Sequence, residues 1–339
     1  MTSFYTSLFG ILFWISPLVH SYGQTREWTK VAVPTVTLAN GVEMPLIFQG
    51  SGGDNDTSAT SGVQAAIAVG FTGIDTAHDY GCLAGVGAAL APLAPDERQR
   101  LFVTSKVPGC GVPTQGLQPP CYENTHKVFA ADMAKLQTPY IDLLLIHFPP
   151  LAGCGGNACT KMQQQWTALE ELYKANATRA IGVSNMCKDC IECIKQNATV
   201  MPMVDQMQYH VGLGHDPGGL KAYCKQENIV FESYAPLGGG LLLSNFSLGA
   251  ELAIKYNFSS SAGVALAYIA QRGGPLVTKS NKPRHLVEDL DIFSPEKQIS
   301  AADLSRLDAI RSPTCKGVAA TGRWAPYGCC HASTNSAAI

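Results

Sequence analysis

Four side chains with complementary proton chemistry lie in the first half of the chain: Asp75, Lys106 and His147 at the ends of apolar runs, and Tyr80 five residues after Asp75. Asp75 and Tyr80 close the stretch Gly70-Phe71-Thr72-Gly73-Ile74-Asp75-Thr76-Ala77-His78-Asp79-Tyr80. Lys106 ends Val103-Thr104-Ser105-Lys106, and His147 follows Leu143-Leu144-Leu145-Ile146. A buried carboxylate is costly unless it is paired or hydrogen-bonded, so Asp75 calls for a neighbouring cation to steer. Taken alone, the same stretch is also a strand ending in a polar turn. The second half adds Ser184-Asn185, Gln206, Tyr234 and Lys279-Ser280 in comparable positions.

Short β-rich runs must position these residues. They are 44–50, 72–77, 101–106, 141–148, 180–185, 203–209, 229–237 and 276–280. Helical patterns with apolar residues at i, i+3 and i+4 fall between them, at 61–69, 123–136, 164–174, 219–226, 262–271 and 283–290. Strands alternating with helices predict a parallel sheet. Eight repeats over roughly 250 residues predict an α/β fold of the (β/α)8 TIM-barrel type rather than an open doubly wound sheet. No Gly-x-Gly-x-x-Gly follows the first strand, which disfavours the dinucleotide-binding open sheet. Asn40-Gly41 between two apolar runs predicts an N-terminal β-hairpin. In a barrel the C-terminal strand ends meet at one rim, where active sites are built. Polar residues at so many equivalent ends are hard to explain as packing.

The 339 residues are 46% hydrophobic and 15% charged, enough for a sizeable core. A formal net charge of −2 gives no sign of nucleic acid or an anionic membrane surface as partner. The first 25 residues carry no charged side chain, and 8–19 is nearly all apolar. We read 1–23 as a signal peptide cleaved near Gly23, although its start lacks Lys or Arg. An apolar stretch of about 12 residues is too short to span a bilayer comfortably. All 12 Cys follow the cleavage point. Asn-x-Ser/Thr sequons stand at Asn55, Asn176, Asn197, Asn245 and Asn257. Together these features predict a secreted protein, or one of the endoplasmic reticulum or vesicle lumen, where disulfides persist.

With those residues placed, the chain resembles the aldo-keto reductase superfamily. The matching segments are the Asp75–Tyr80 stretch, Val-Thr-Ser-Lys106, Leu-Leu-Leu-Ile-His147-Phe-Pro, Ile-Gly-Val-Ser184-Asn185, Val-Asp-Gln206-Met-Gln-Tyr-His, Ser-Tyr234-Ala-Pro-Leu-Gly and Val-Thr-Lys279-Ser280. They run in the family's order over about residues 36–311. The resemblance implies a barrel at 24–311, a tail at 312–339 over the rim, and reduction of an aldehyde or ketone with NADPH. NADH use is left open, because His285 stands where the family has an Arg.

The implied catalytic residues are Asp75, Tyr80, Lys106 and His147. Hydride delivery to a carbonyl carbon leaves charge on oxygen, so a proton donor must stand there. A Tyr hydroxyl titrates near ~10, and a Lys ammonium beside it favours the phenolate and lowers that value. Asp75 would keep Lys106 charged, and His147 would stabilise the developing oxyanion. The resemblance also places Ser184, Asn185 and Gln206 at the nicotinamide carboxamide and Tyr234 against the ring. Ala235 to Leu237 would follow the pyrophosphate, Lys279 and Ser280 the 2′-phosphate, and Glu288 and Asp289 the adenine. Lys279 as a solvated loop lysine is the alternative.

The substrate end departs from the pattern. Positions the family often fills with Trp carry Gly52, Pro108 and Phe148, implying a wider or differently lined pocket. Phe148 and Trp324 are the substrate-side candidates, with packing on the barrel as the alternative for Trp324. Local disulfides Cys110–Cys121 and Cys154–Cys159 are expected in two rim loops. Cys187, Cys190 and Cys193 share a helix face and suit disulfides or buried thiols better than a metal. Cys224 reads as a buried thiol or a partner for Cys187 or Cys190. His78, His126, His210 and His215 lack metal-ligand spacing; no metal and a monomer are expected. A glycosidase needs two facing carboxylates, and the strand ends supply one. An aldolase using Lys106 as a Schiff base leaves Tyr80 without a task. The rival outside enzymes is a secreted barrel acting as a binding or cofactor-sensing module.

Overall fold

The computed structural model describes residues 31–111, 116–150, 154–240 and 246–311. The expected leader at 1–23, the tail at 312–339 with Trp324, and the Asn245 sequon lie outside the described residues.

Strands β1 (Thr35–Thr37) and β2 (Glu43–Pro45) form the antiparallel hairpin. Gly41 turns it at φ +84°, and the Gly41 amide donates to the Leu38 carbonyl. Eight parallel strands follow: β3 (Ile47–Gly50), β4 (Gly73–Asp75), β5 (Phe102–Val107), β6 (Ile141–Ile146), β7 (Thr178–Ser184), β8 (Val204–Gln208), β9 (Val230–Tyr234) and β10 (Leu276–Thr278). They close into a barrel in sequence order, with β10 paired to β3. All eight runs expected from the sequence are present. Several chemistry-bearing residues, among them His147, Asn185, Lys279 and Ser280, stand just past the strand ends.

Side chains alternate across each strand, so every second residue enters the barrel. The lower interior is apolar: Phe48, Phe102, Leu143, Leu145, Ala180, Val204 and Val277 pack with Leu38 and Met44 of the hairpin region. The hairpin therefore plugs the N-terminal mouth. One step higher the inward positions turn polar, with Asp75, Lys106, Ser184, Gln206, Gln208 and Glu232 all buried. The register holds them level, pairing Asp75 with Thr104, Ser184 with Gln206, and Gln208 with Tyr234.

The outer layer holds α1 (Asp56–Val69), α2 (Leu83–Leu90), α3 (Pro95–Gln99), α4 (Cys121–Leu136), α5 (Gly156–Lys174), α6 (Lys188–Lys195), α7 (Leu220–Gln226), α8 (Ser247–Lys255), α9 (Ser261–Gln271), α10 (Pro283–Leu290) and α11 (Ala301–Asp308). Asn55 caps α1 through a reciprocal box with Ser58. Helix α2 is absent from the sequence expectation because Gly85 and Gly87 depress its helical signal. The structure shows why they are there. A Cβ on Gly85 would collide with the backbone of Asp56, and one on Gly87 with that of Lys135. The glycines let α2 lie close between α1 and α4.

Cys110–Cys121 is bonded as expected. The expected Cys154–Cys159 pair is not formed; the bonds are Cys154–Cys190 and Cys159–Cys193. Helix α6 packs beside α5 and presents Cys190 and Cys193 one turn apart on its buried face, so both upstream cysteines bond across to it. Cys187 is disulfide-bonded as well. Cys224 is a buried free thiol, and so is Cys82. Among the described residues no helix is long and apolar enough to cross a membrane.

Candidate active site

At the rim, Lys106 is fully buried and its Nζ makes four hydrogen bonds. It donates to Asp75 Oδ1 at 2.7 Å, Asp75 Oδ2 at 2.8 Å, the Thr76 carbonyl at 3.1 Å and the Tyr80 hydroxyl at 3.1 Å. Burial alone disfavours the ammonium, but Asp75 and Tyr80 outweigh it and hold Lys106 above its ordinary value. Tyr80 departs from the sequence expectation. Burial pushes its hydroxyl up to about 12, and the pull of Lys106 in the other direction does not win. The phenol therefore keeps its proton at neutral pH.

Tyr80 ends a 3-10 turn, His78–Tyr80, whose three side chains go to different partners. His78 Nδ1 lies 2.7 Å from Asp132 on α4, which raises the His78 pKa and makes the residue part of the packing. Asp79 Oδ2 lies 2.9 Å from His147 Nδ1. The His147 ring meets Tyr80 edge-on at 5.5 Å and stacks on Phe148 at 4.1 Å. Burial lowers the His147 pKa despite the Asp79 contact.

Gln206 Nε2 donates to Asp75 Oδ2 and to Glu232 Oε2, each at 2.9 Å. Both amide hydrogens are thereby used on acids, which leaves the amide oxygen for a ligand. Burial, reinforced by Asp75, pushes Glu232 up to about 8. Ser184 donates to the Gln206 carbonyl at 2.8 Å. Asn185, at φ +60°, donates to the His147 carbonyl and accepts from the Tyr234 hydroxyl at 2.7 Å. Ala235 sits at φ +50°, a region that is unfavourable for a residue with a Cβ.

Two neighbouring cavities collect the residues singled out from sequence. One, of about 270 Å³, is lined by Tyr80, His147, Phe148, Ser184, Asn185, Gln206, Tyr234 and Ala235, together with Gln208 and Gly239. The other, of about 450 Å³, takes in Leu237, Lys279, Ser280, Glu288 and Asp289, with Ser259 to Ser261, Arg284 and His285 beside them. The segment Tyr234–Gly239 runs between the two. Lys279 is partly exposed but held: it pairs with Asp54 at 3.0 Å and donates to the Gly52 carbonyl at 2.6 Å. Asp289 accepts from Thr278, and burial raises it to about 7.

The sequence reading gave no role to Asp79, Asp54, Gln208 or Glu232. Asp79 stands directly before Tyr80, but its partner is 68 residues away. The profile described as the Aldo/keto reductase family matches residues 46–312.

The chain belongs to the aldo/keto reductase family.

It is an NAD(P)H-dependent oxidoreductase. Among curated relatives it is 38% identical over 277 residues to a glyoxal reductase of Bacillus subtilis, covering 81% of this chain and 92% of the relative. Among solved structures, an aldo/keto reductase from Brucella melitensis superposes with a TM-score of 0.71 at 28% identity, over 83% of this chain and 98% of that one. A mutant of the protein Gox0644 in complex with NADPH gives 0.71 at 26% identity, over 83% and 95%.

The residues present fit a nicotinamide dinucleotide. Gln206 offers a carbonyl oxygen fixed by two acids, in a cavity walled by Tyr234. The adjoining cavity offers a lysine, an arginine, a histidine and serine hydroxyls, a donor set suited to phosphate.

Proposed function

We propose that the chain reduces an aldehyde or ketone to an alcohol with NADPH, and that Tyr80 gives the proton. The observation that carries this is the Tyr80 hydroxyl resting on the buried Lys106 ammonium at the edge of the 270 Å³ cavity. When bound, the nicotinamide supplies the hydride. Tyr80 holds its proton at neutral pH, and an alkoxide is a stronger base than a phenolate, so transfer from Tyr80 to the reduced oxygen runs downhill. Lys106 then faces the phenolate left behind and stabilises it, while Asp75 keeps Lys106 in place.

Gln206, Ser184 and Asn185 would hold the carboxamide, and Tyr234 the ring face. Lys279 and Ser280, with Arg284 and His285 adjacent, would take the adenosine phosphate, which favours NADPH over NADH. Lys279 must exchange Asp54 for the phosphate. Glyoxal, the compound in the name of the Bacillus relative, is the first carbonyl to try.

An oxidising lumen or the cell exterior is the proposed compartment, supported by the disulfides. Of the sequons, Asn55, Asn176, Asn197 and Asn257 are exposed and open to glycosylation. A mobility shift on glycosidase treatment of the natively expressed protein tests that placement.

The deciding test is titration with NADPH and NADH, followed by tryptophan fluorescence. Tight NADPH binding, weaker with Lys279→Ala, supports the reading, as does carbonyl turnover that disappears in Tyr80→Phe. A folded sample that binds neither nucleotide overturns it in favour of the non-catalytic barrel.

A further inference from the structure

The contact between Asp79 and His147 determines which hydrogen the site can offer. Both side chains are nearly buried, His147 at 4% and Asp79 at 9% exposure. A carboxylate accepts hydrogen bonds only, so at 2.9 Å it requires a hydrogen on Nδ1. A neutral imidazole carries one N–H, which leaves Nε2 with a bare lone pair. Nε2 has no protein partner among the described residues, and the ring lines the cavity. The ring is held in orientation by Phe148 stacked on it and by Tyr80 edge-on.

We propose that Asp79 is a positioning residue that locks His147 as the Nδ1–H tautomer, so that the neutral ring presents an acceptor, not a donor, to the reacting oxygen. A carbonyl oxygen has no hydrogen to give to that lone pair. With neutral His147 it is held by the Tyr80 hydroxyl alone. An alcohol has a hydrogen and is matched by the same lone pair. Once the ring is protonated both nitrogens donate, Asp79 balances the charge, and the carbonyl oxygen gains a second, charged donor. The pair thus sorts the two redox states of the substrate by pH: the protonated ring suits the carbonyl and the neutral ring suits the alcohol.

The groups that bear on the ring are Asp79 from the 3-10 turn, Lys106 from β5 and Asp75 from β4, with Tyr80 at its edge. Burial and Lys106 work against the charge, while Asp79 and Asp75 favour it, and the balance lowers His147 from its ordinary value. The carbonyl-matched state is therefore gained on the acid side of neutrality.

The pH consequence rests on the carbonyl–alcohol reading above; the tautomer does not, and it is read on the protein alone. Histidine-15N NMR at neutral pH, with His147→Gln to assign the signal, should show a protonated Nδ1 and an unprotonated Nε2. In Asp79→Asn the amide can serve either tautomer, and the signal should move toward an Nε2–H mixture. Reductive kcat/KM of the unaltered chain should rise by roughly 10- to 100-fold on acidification through the His147 titration, the range of a charged hydrogen bond. Asp79→Asn should flatten that rise. Asp79→Ala, judged folded by circular dichroism, should flatten it too. An Nε2–H signal in the unaltered chain overturns the proposal. So does an Asp79→Asn protein with unchanged tautomer and unchanged pH profile. A sample with the expected tautomer but no carbonyl turnover would refute the enzymatic reading and leave the role of Asp79 in fixing the ring intact.

Discussion

The two ends of the ligand groove are built on different principles. At the barrel end, Lys106 and Asp75 are 0% and 2% exposed, and the Lys106 ammonium is fully taken up by Asp75, the Thr76 carbonyl and the Tyr80 hydroxyl. At the outer end, the Lys279 side chain is 37% exposed and Arg284 is 84% exposed, and both are held by carboxylates a ligand could replace. A buried pair gains strength from its low dielectric and cannot relax once broken. A partly exposed pair is worth little and exchanges easily. In the proposed reading the chemistry is therefore wired before anything binds, whereas the grip on the far end of the cofactor would be assembled by exchange.

The comparison can be broken most sharply at the barrel end. Tyr80→Phe should lower kcat by a factor on the order of 10²–10⁴, the usual worth of a positioned proton donor, with little effect on dinucleotide affinity. Steady-state kinetics beside fluorescence titration separates the two. Lys106→Met should cost about 3–5 kcal/mol of folding stability, because Asp75 is left buried without its cation; denaturant unfolding measures it. At the outer end the effects shrink. Lys279→Ala should weaken NADPH roughly tenfold, less than an ideal charged hydrogen bond because the site is partly wet. Asp54→Asn removes the competitor for Lys279 while keeping the contact to Ser58. It should tighten NADPH by about two- to fivefold, the range of an exposed ion pair. Equal losses at the two ends, or an Asp54→Asn that weakens NADPH, would erase the distinction.

How far the sequence could be read follows the same divide between local and long-range information. The strand runs and their polar ends were legible because buried parallel strands are short, apolar and bounded by turns. Asp75, Lys106 and His147 could be singled out because each stands at the end of such a run, and Tyr80 because the resemblance places it five residues after Asp75. Asp79 could not be assigned, since only the folded barrel brings it to His147. The rise of the Tyr80 pKa was missed for a related reason: charge neighbours can be guessed from motifs, whereas the depth of burial cannot. Helix α2 was hidden by glycines whose purpose is close contact with other helices. The pairings of Cys154 and Cys159 depended on which helix lies beside α5.

Those pairings also enclose a strand. The Cys154–Cys190 bond ties residues 36 apart into a covalent ring that contains β7, the strand bearing Ser184. In the chain-entropy picture, closing a ring of that size restrains the unfolded chain by roughly 4 kcal/mol. The Cys159–Cys193 bond spans 34 residues, but once the first link exists it closes only a small additional circuit and adds roughly 2–3 kcal/mol. The order is interchangeable. Losing either link leaves β7 encircled by the other, so the enclosure is redundant and ends only when both are reduced.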